Sequence, residues 1–208
     1  RLGLLRRVHG GAVAVDELSF EPAVSARTEF MDEKRRIARA ALDELPRGGA
    51  VLIDNGTTTM CLAELFPADR DLTVFTNSLP IALALLNRPR VTVHTLGGRV
   101  RGVTMAEVGN WAARALSELQ VDVAFLGTNG MSVERGVTTP DESEATVKGL
   151  MYDAARRRIL LADHSKIGRV SLLKYADLSD VDLLITDTGL PDPELLRLQD
   201  AGVNVRRV

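Results

Sequence analysis

The chain has 208 residues, a mass of 22.6 kDa and a formal net charge of −2 at pH 7. This length is sufficient for one large domain, or one domain with an appendage, around a substantial hydrophobic core. The hydrophobic share of 45% and the charged share of 26% are ordinary for a soluble globular protein. A net charge of −2 argues against a protein that binds nucleic acid over its whole surface, but it is compatible with a local basic arm.

The cysteine and histidine content excludes two further classes of protein. A single cysteine, Cys61, rules out an internal disulfide and any cysteine-based zinc cluster. The histidines, at positions 9, 94 and 164, lie far apart without metal-ligand spacing, so we expect no metal or other cofactor. Because neither a signal peptide nor a long apolar span is evident, we expect a cytoplasmic protein without a membrane segment.

The N-terminal residues differ in character from the rest of the chain. Arg1, Arg6 and Arg7 precede any acidic residue, which predicts a basic strand followed by a linker from Gly10 onward. The pattern is irregular from residue 14 to 31, and an amphipathic helix follows, with Asp32 as its predicted N-cap. We therefore expect an N-terminal segment over residues 1–31 and the main domain over residues 32–208.

Short apolar runs alternate with helical stretches through the main domain. Strands are expected near residues 50–54, 72–76, 91–96, 121–127, 158–163, 182–187 and 204–208. Helices are expected near residues 59–66, 79–87, 106–119, 143–156 and 192–201. Because parallel strands need crossover connections, this alternation predicts a Rossmann-like α/β fold, a mainly parallel sheet with helices on both faces.

The stretch from Asp54 to Thr59 is the strongest candidate for a ligand site. A glycine, Gly56, lets the backbone turn, and Thr57, Thr58 and Thr59 follow where a helix should begin. Hydroxyls and free N–H groups at a helix N-terminus can hold a phosphate. Asp54 has the wrong charge for a phosphate, so we expect it to accept from a sugar hydroxyl or to orient the loop. An ordinary N-cap and turn would explain only some of these polar positions.

Polar residues also follow other predicted strands, at the edge where parallel α/β sheets bind ligands. Lys166 is the best candidate for a cation that assists the phosphate site. Asn129, Asp141, Glu144 and Lys148 form a second polar group. An alternative for the last three is an acidic first helical turn with an i,i+4 pair between Glu144 and Lys148. Neither G-x-G-x-x-G nor a Walker A motif is present, so dinucleotide binding and NTP hydrolysis lack support.

Taken together, these motifs resemble the C-terminal effector-sensing domain of the DeoR family of bacterial transcriptional regulators. The resemblance covers about residues 4 to 168 and is carried by the order and spacing of its motifs. The motifs are Leu5-Arg6-Arg7-Val8-His9-Gly10-Gly11-Ala12, Lys34-Arg35-Arg36-Ile37-Ala38, Asp54-Asn55-Gly56-Thr57-Thr58, Thr76-Asn77-Ser78, Gly97-Gly98, the stretch from Gly136 to Lys148, and Asp163-His164-Ser165-Lys166-Ile167-Gly168.

The resemblance implies a sensor similar in fold to ribose-5-phosphate isomerase and glucosamine-6-phosphate deaminase. It implies a phosphorylated-sugar effector, frequent assembly as homo-oligomers, and operator DNA bound through a winged helix whose recognition helix would lie upstream of Arg1. Arg6 and Arg7, at the end of the wing, would touch DNA phosphates. Carried over by motif, the effector phosphate would lie on Gly56, Thr57, Thr58 and Thr59, with Lys166 nearby. Sugar hydroxyls would face Asp54, Asn129, Asp141, Glu144 and Lys148.

Two enzyme classes are the alternatives to this regulator. A phosphosugar isomerase or deaminase could use the same pocket with Asp141 or Glu144 as general base. The basic, wing-like N-terminus argues against it, because a metabolic enzyme needs no such arm. A CoA-transferase-like enzyme would need a placed glutamate nucleophile and a CoA site, and the sequence shows no distinctive signal for either.

Overall fold

The computed structural model describes residues 18–208 and the backbone of residues 5–8 and 11–14. The strands are β1 (Leu5–Val8), β2 (Gly11–Ala14), β3 (Gly48–Ile53), β4 (Asp71–Thr76), β5 (Val91–Thr95), β6 (Arg99–Arg101), β7 (Ala106–Val108), β8 (Val123–Gly127), β9 (Gly130–Ser132), β10 (Gly136–Thr139), β11 (Arg158–Leu161), β12 (Leu173–Ala176), β13 (Leu183–Thr186) and β14 (Val205–Arg207). The α-helices are α1 (Met31–Ala41), α2 (Thr57–Glu64), α3 (Leu79–Leu85), α4 (Asn110–Ser117), α5 (Glu142–Asp153) and α6 (Asp192–Asp200).

A seven-stranded sheet in the order β14-β13-β11-β8-β3-β4-β5 forms the centre of the fold. Every pair of neighbouring strands in it is parallel. All seven strands predicted from the apolar runs are present, which confirms the parallel α/β class. Parallel strands are covered on both faces, and this is why their sequences are continuously apolar rather than alternating.

Side chains of the central strands alternate between two hydrophobic clusters, one on each face. On β3, Leu52 belongs to one cluster, whereas Val51 and Ile53 belong to the other. Helices α1, α2 and α3 cover the face of Val51 and Ile53, and helices α4, α5 and α6 cover the face of Leu52. Burying apolar area at about 25 cal/mol per Å² on both faces is the main source of stability for such a sheet. The prediction of helices on both faces is therefore confirmed.

Two local predictions about helix starts are wrong. Residues 106–108 form β7, which pairs with β6 in an antiparallel hairpin, so the helix expected from residue 106 begins only at Asn110. Asp32 lies inside the first turn of α1 and is not its cap, because the cap position belongs to Phe30 in the left-handed conformation (φ 56°). A small sheet, β12-β10-β9, was also not anticipated.

The N-terminal strands form an antiparallel hairpin, in which Leu5 pairs with Ala14 and Val8 with Gly11. The linker expected from Gly10 onward therefore contains a strand, β2, which corrects that part of the prediction. Arg6 and Arg7 lie on β1, but their side chains lie outside the described part of the chain, as does all of Arg1. Their contact with DNA stays a prediction.

None of the helices in the described residues has both the length and the apolar character needed to cross a membrane.

Candidate functional site

The sheet has a topological switch point between β3 and β8. From β3 the chain proceeds outward through β4 and β5, and it then returns to β8 and continues outward on the opposite side. At such a point the carboxyl ends of two neighbouring strands lead away in opposite directions and leave a crevice, the usual ligand site of open α/β sheets. Asp54 follows β3, and its N–H donates to the carbonyl oxygen of Phe125 on β8 at 2.9 Å. The stretch singled out in the sequence thus lies at this crevice.

A buried ion pair forms the base of the crevice. The Lys148 ammonium contacts Oδ2 of Asp54, which also accepts the Gly127 N–H at 3.1 Å, and Lys148 donates further to the Gly127 carbonyl at 3.2 Å. Burial raises the pKa of Asp54, whereas Lys148 and the Gly127 N–H oppose that rise. Asp54 is 0% exposed, and its Oδ1 atom has no hydrogen-bond partner among the described residues. A buried oxygen with unused acceptor capacity suits a ligand hydroxyl.

The loop that follows Asp54 presents backbone N–H groups at the start of α2. Asn55 N–H donates to Oδ1 of Asn77 at 2.9 Å, which ties the loop to the end of β4. Gly56 precedes α2 in extended backbone, and no side chain caps the helix there. The orphan N–H groups of the first helical turn are therefore available to an anion.

The three threonines of this loop have different surroundings. Thr57 is partly exposed, Thr58 is buried, and Thr59 is fully buried. The Thr59 hydroxyl donates to the Gly56 carbonyl at 3.0 Å. Thr57 and the backbone of Gly56 are therefore the accessible part of the predicted cradle, and Thr59 holds the turn in place.

Helix α5 supplies the second wall of the crevice. Asp141 caps this helix by accepting the Glu144 N–H at 3.0 Å, as expected for an acidic first turn. The i,i+4 pair that was the alternative interpretation is not formed, because Lys148 pairs with Asp54 and the buried Glu144 pairs with Arg101 at 2.7 Å. Both side chains point into the interior, whereas an i,i+4 pair lies on a solvent-facing helix surface.

Arg101, on β6, is a central residue of the site that the sequence did not indicate. Its guanidinium contacts three carboxylates, Glu144 at 2.7 Å, Glu21 at 2.8 Å and Asp141 at 3.2 Å. Glu144 also accepts from the buried Thr104 hydroxyl at 2.5 Å. Glu144 and Glu21 lie 43 and 80 positions from Arg101, so no local spacing could have revealed this cluster.

Asn129 lies just beyond β8, beside this cluster. Its Oδ1 atom accepts from the Thr139 hydroxyl at 3.0 Å, and its Nδ2 atom lies 3.5 Å from Oε1 of Glu21. The hydrogen bond from Thr139 on β10 thus orients the Asn129 side chain so that its amide nitrogen faces Glu21.

Lys166 lies at the same edge of the sheet, after β11, two strand positions from β3. At about 4.8 Å per strand, this corresponds to roughly 10 Å between the strand ends. Burial lowers the pKa of Lys166, Asp163 opposes that effect, and Lys34, Arg169 and Arg27 lower the pKa further. Lys166 thus lies among three other cations and one carboxylate. The sequence indicated Lys166 but not the buried Lys34, whose Nζ atom donates to the Glu29 carbonyl at 2.7 Å.

Two glycines shape the rim of the crevice beyond β5. Gly97 and Gly98 have φ values of 77° and 110°. A Cβ atom at Gly98 would lie 2.6 Å from the Val108 carbonyl oxygen, while one at Gly97 would have no atom within 4 Å. At Gly98 the backbone therefore lies close to a neighbouring strand, β7, and leaves no room for a side chain.

Within the described part of the chain, no group of three or more His, Cys, Asp or Glu side chains could hold a metal ion.

Comparison with known proteins places this architecture in a family. The family model of the DeoR C terminal sensor domain matches residues 29–188. The chain is 40% identical over 204 residues to the HTH-type transcriptional regulator GlpR of Haloferax volcanii, covering 98% of this chain and 80% of that protein. It is 35% identical over 195 residues to the HTH-type transcriptional repressor GlcR of Bacillus subtilis, covering 93% and 74% respectively.

The structural comparison supports the same fold class. Ribose 5-phosphate isomerase A from Neisseria gonorrhoeae superposes with a TM-score of 0.50 at 17% identity, over 70% of this chain and 56% of that chain. The predicted similarity in fold to that isomerase is confirmed. At this identity the likeness concerns the fold alone. From the sequence matches, the chain belongs to the DeoR family of transcriptional regulators and carries the family's C-terminal sensor domain.

Proposed function

We propose that this chain is the effector-sensing part of a transcriptional repressor of carbohydrate metabolism, and that its effector is a phosphorylated sugar bound at the switch point between β3 and β8. One observation carries the proposal. The uncapped N-terminus of α2, which begins at Thr57, follows closely after Asp54, whose buried Oδ1 atom has no partner among the described residues. The first feature suits a phosphate and the second suits a hydroxyl on the same ligand.

The phosphate needs more than the helix terminus. An exposed helix N-terminus contributes only about 0.3–1 kcal/mol toward an anion, whereas a charge-assisted hydrogen bond contributes about 1.5–3 kcal/mol. Lys166 is the cation we assign to that role, because it follows β11 at the same edge of the sheet. The phosphate would accept from the N–H groups of Gly56, Thr57 and Thr58.

The sugar would extend from this phosphate toward α5. Its hydroxyls would donate to Oδ1 of Asp54 and meet Asn129 and the Asp141–Glu144–Arg101 cluster. Lys148 would act indirectly, by opposing the rise in the pKa of Asp54 and by orienting its carboxylate. Which sugar fits depends on how these groups match individual hydroxyls.

In the whole regulator, sensing would be coupled to DNA affinity. An effector shifts DNA affinity only if it favours one arrangement of the protein over another. Operator DNA would be bound by a winged helix preceding the sensor, with Arg6 and Arg7 as phosphate contacts, and a homo-oligomer would present two such arms. Two arginines give too little charge for strong DNA binding by themselves.

The main enzyme alternative lacks a suitable base. Burial alone would raise the pKa of Asp141, but hydrogen bonds from Ser143 and the Glu144 N–H, with the charge of Arg101, outweigh it and lower the pKa. Glu144 is buried and held by Arg101 and Thr104. A general base is most effective when its pKa lies near the operating pH, so Asp141 suits binding better than proton transfer, and the contacts that hold Glu144 in place suit a structural role. The named relatives are likewise regulators.

A thermal-shift screen tests the proposal. The panel contains sugar phosphates, including ribose 5-phosphate and glucosamine 6-phosphate, the matching unphosphorylated sugars, and inorganic phosphate. A ligand present at one hundred times its Kd stabilises the fold by about 2.7 kcal/mol. We expect a sugar phosphate to raise Tm without product formation and its unphosphorylated partner to have no effect. Turnover would assign the chain to the isomerase or deaminase class, and no response to any sugar phosphate would refute the site.

A further inference from the structure

The segment of residues 18–30 precedes α1 in the chain and contacts loops and strands beside the crevice. The Val24 N–H donates to the Val103 carbonyl at 2.8 Å, in the β6–β7 hairpin. The Leu172 N–H donates to the Leu18 carbonyl at 3.0 Å, near β12. The segment is thus attached to elements on both sides of the crevice.

The side chain of Glu21 reaches from this segment into the polar cluster beside the crevice. The Glu21 carboxylate accepts from Arg101 at 2.8 Å and from Arg27 at 2.9 Å, with Asn129 at 3.5 Å. Its side chain is only 6% exposed. Arg27 belongs to the segment itself, whereas Arg101 and Asn129 belong to the walls of the crevice.

Among the carboxylates on Arg101, Glu21 is the one that can leave at the least cost. Arg101 would still be paired with Glu144 at 2.7 Å and Asp141 at 3.2 Å. Those two carboxylates are fixed by Thr104 and by the cap of α5. Arg27 leaves together with Glu21 as its partner, so the departure removes one positive and one negative charge and leaves the net charge beside the crevice unchanged. A released Glu21 carboxylate would regain its hydration in water.

We propose that Glu21 competes with the hydroxyl-bearing end of the phosphosugar for Arg101 and Asn129, so that effector binding releases the segment of residues 18–30. This inference rests on the proposed function, and it adds a competitor for the effector, Glu21, to the site. Sugar oxygens can accept hydrogen bonds from Arg101 and Asn129, the donors that contact Glu21 in this structure. Because residues 18–30 lie between the N-terminal hairpin and α1 in the chain, their release would transmit effector occupancy toward the DNA-binding side of the protein.

Isothermal titration of the full 208-residue chain tests the competition. The variant is Glu21→Gln, and the matched control is Glu29→Gln, which removes the same charge from an exposed position of the same segment. The probes are the sugar phosphate with the largest Tm shift in the screen, and inorganic phosphate. We expect Glu21→Gln to tighten sugar phosphate binding about tenfold, because the cost of displacing the competitor falls. Inorganic phosphate has no sugar to reach Arg101, so its affinity should not change in either variant.

Hydrogen exchange of the wild-type chain gives a second readout that needs no variant. The Val24 amide should exchange faster when the sugar phosphate is bound, since its bond to Val103 belongs to the released segment. An unchanged or weakened sugar phosphate affinity in Glu21→Gln, or slower exchange at Val24, would overturn the competition while leaving the proposed site standing. If no sugar phosphate binds either the wild type or Glu21→Gln, the proposed function itself fails, and this inference with it.

Discussion

The ammonium group of Lys148 on α5 contacts the carboxylate of Asp54 after β3, and 94 positions of sequence separate the two residues. The contact joins the switch-point loop to the helix on the opposite wall of the crevice. Both side chains are nearly inaccessible to water, at 5% and 0% exposure. Because this pair is buried and joins two distant elements, we expect its loss to lower the free energy of unfolding and to change the geometry of the loop after β3.

Replacing Lys148 with methionine should destabilise the fold by about 3–5 kcal/mol, because an uncompensated carboxylate would remain buried. Urea unfolding measures the change. Lys174→Met is the matched control: Lys174 pairs with Asp177 at the surface, where loss of a pair costs about 0–1 kcal/mol. Equal losses in the two variants would contradict a structural role for the buried pair.

Replacing Thr57 with glutamate should separate effector binding from stability. A negative charge in the first turn of α2 is favourable for the helix by about 0.3–1 kcal/mol, but it repels a phosphate at the same place. We therefore expect an unchanged or slightly higher Tm and at least a tenfold loss of sugar phosphate affinity by calorimetry. Glutamine has nearly the same shape as glutamate but no charge, so the control variant Thr57→Gln should retain most of the affinity for the sugar phosphate. If Thr57→Glu binds the sugar phosphate as tightly as the wild type, the phosphate does not bind at this loop.

The contribution of Asp141 to stability should depend on pH. Its pKa is lower in the folded chain than the value of about 3.9 expected when unfolded. The unfolded chain therefore binds more protons between the two pKa values, so this contribution is complete above about pH 4 and is lost as the pH falls through the folded pKa. Asn is also a good N-cap, so Asp141→Asn keeps the cap and removes only the charge.

The difference in unfolding free energy between wild type and Asp141→Asn should accordingly be largest near pH 7 and shrink below about pH 4. Urea unfolding across this range measures it, with the exposed Asp32→Asn as a control for the change in net charge. A difference that grows on acidification would refute the assigned direction of the pKa shift.

Two neighbouring glycines offer a test of the rim. Gly97→Ala meets only the strain of a positive φ, about 1–2 kcal/mol, because its Cβ has free space. Gly98→Ala meets the same strain and also a backbone oxygen at 2.6 Å, so the β6–β7 hairpin must move. We expect a cost above about 3 kcal/mol for Gly98→Ala in urea unfolding. If both variants lose the same amount, the close approach of Gly98 to Val108 is not a constraint.

The sequence allowed the sheet to be predicted better than the site. Strands such as β3 and β8 are apolar runs that end in polar residues, so their existence and direction can be inferred locally. The β6–β7 hairpin could not, because Ala106–Val108 has the composition of a helix and its strand character comes from pairing with Arg99–Arg101.

The site depends even more on distant partners. Asp54 and the first turn of α2 were indicated by a contiguous motif. Arg101 and Glu21 were not, because each is an ordinary charged residue until the fold brings them together across 80 positions. The partner of Glu144 could not be inferred for the same reason: the sequence offers Lys148 four positions away as one alternative, but it gives no indication of Arg101.

The central position of β3 in the sheet has a consequence for the synthesis and folding of this protein. On one side β3 pairs with β4, soon after it in the chain, but its other side is covered only by β8, which ends at Gly127. While residues 54 to 122 are being synthesised, β3 has an unpaired apolar edge, the kind of surface that recruits other chains into aggregates. Production of fragments that stop before β8 should therefore give insoluble material, and chaperone demand should be greatest during that interval of translation.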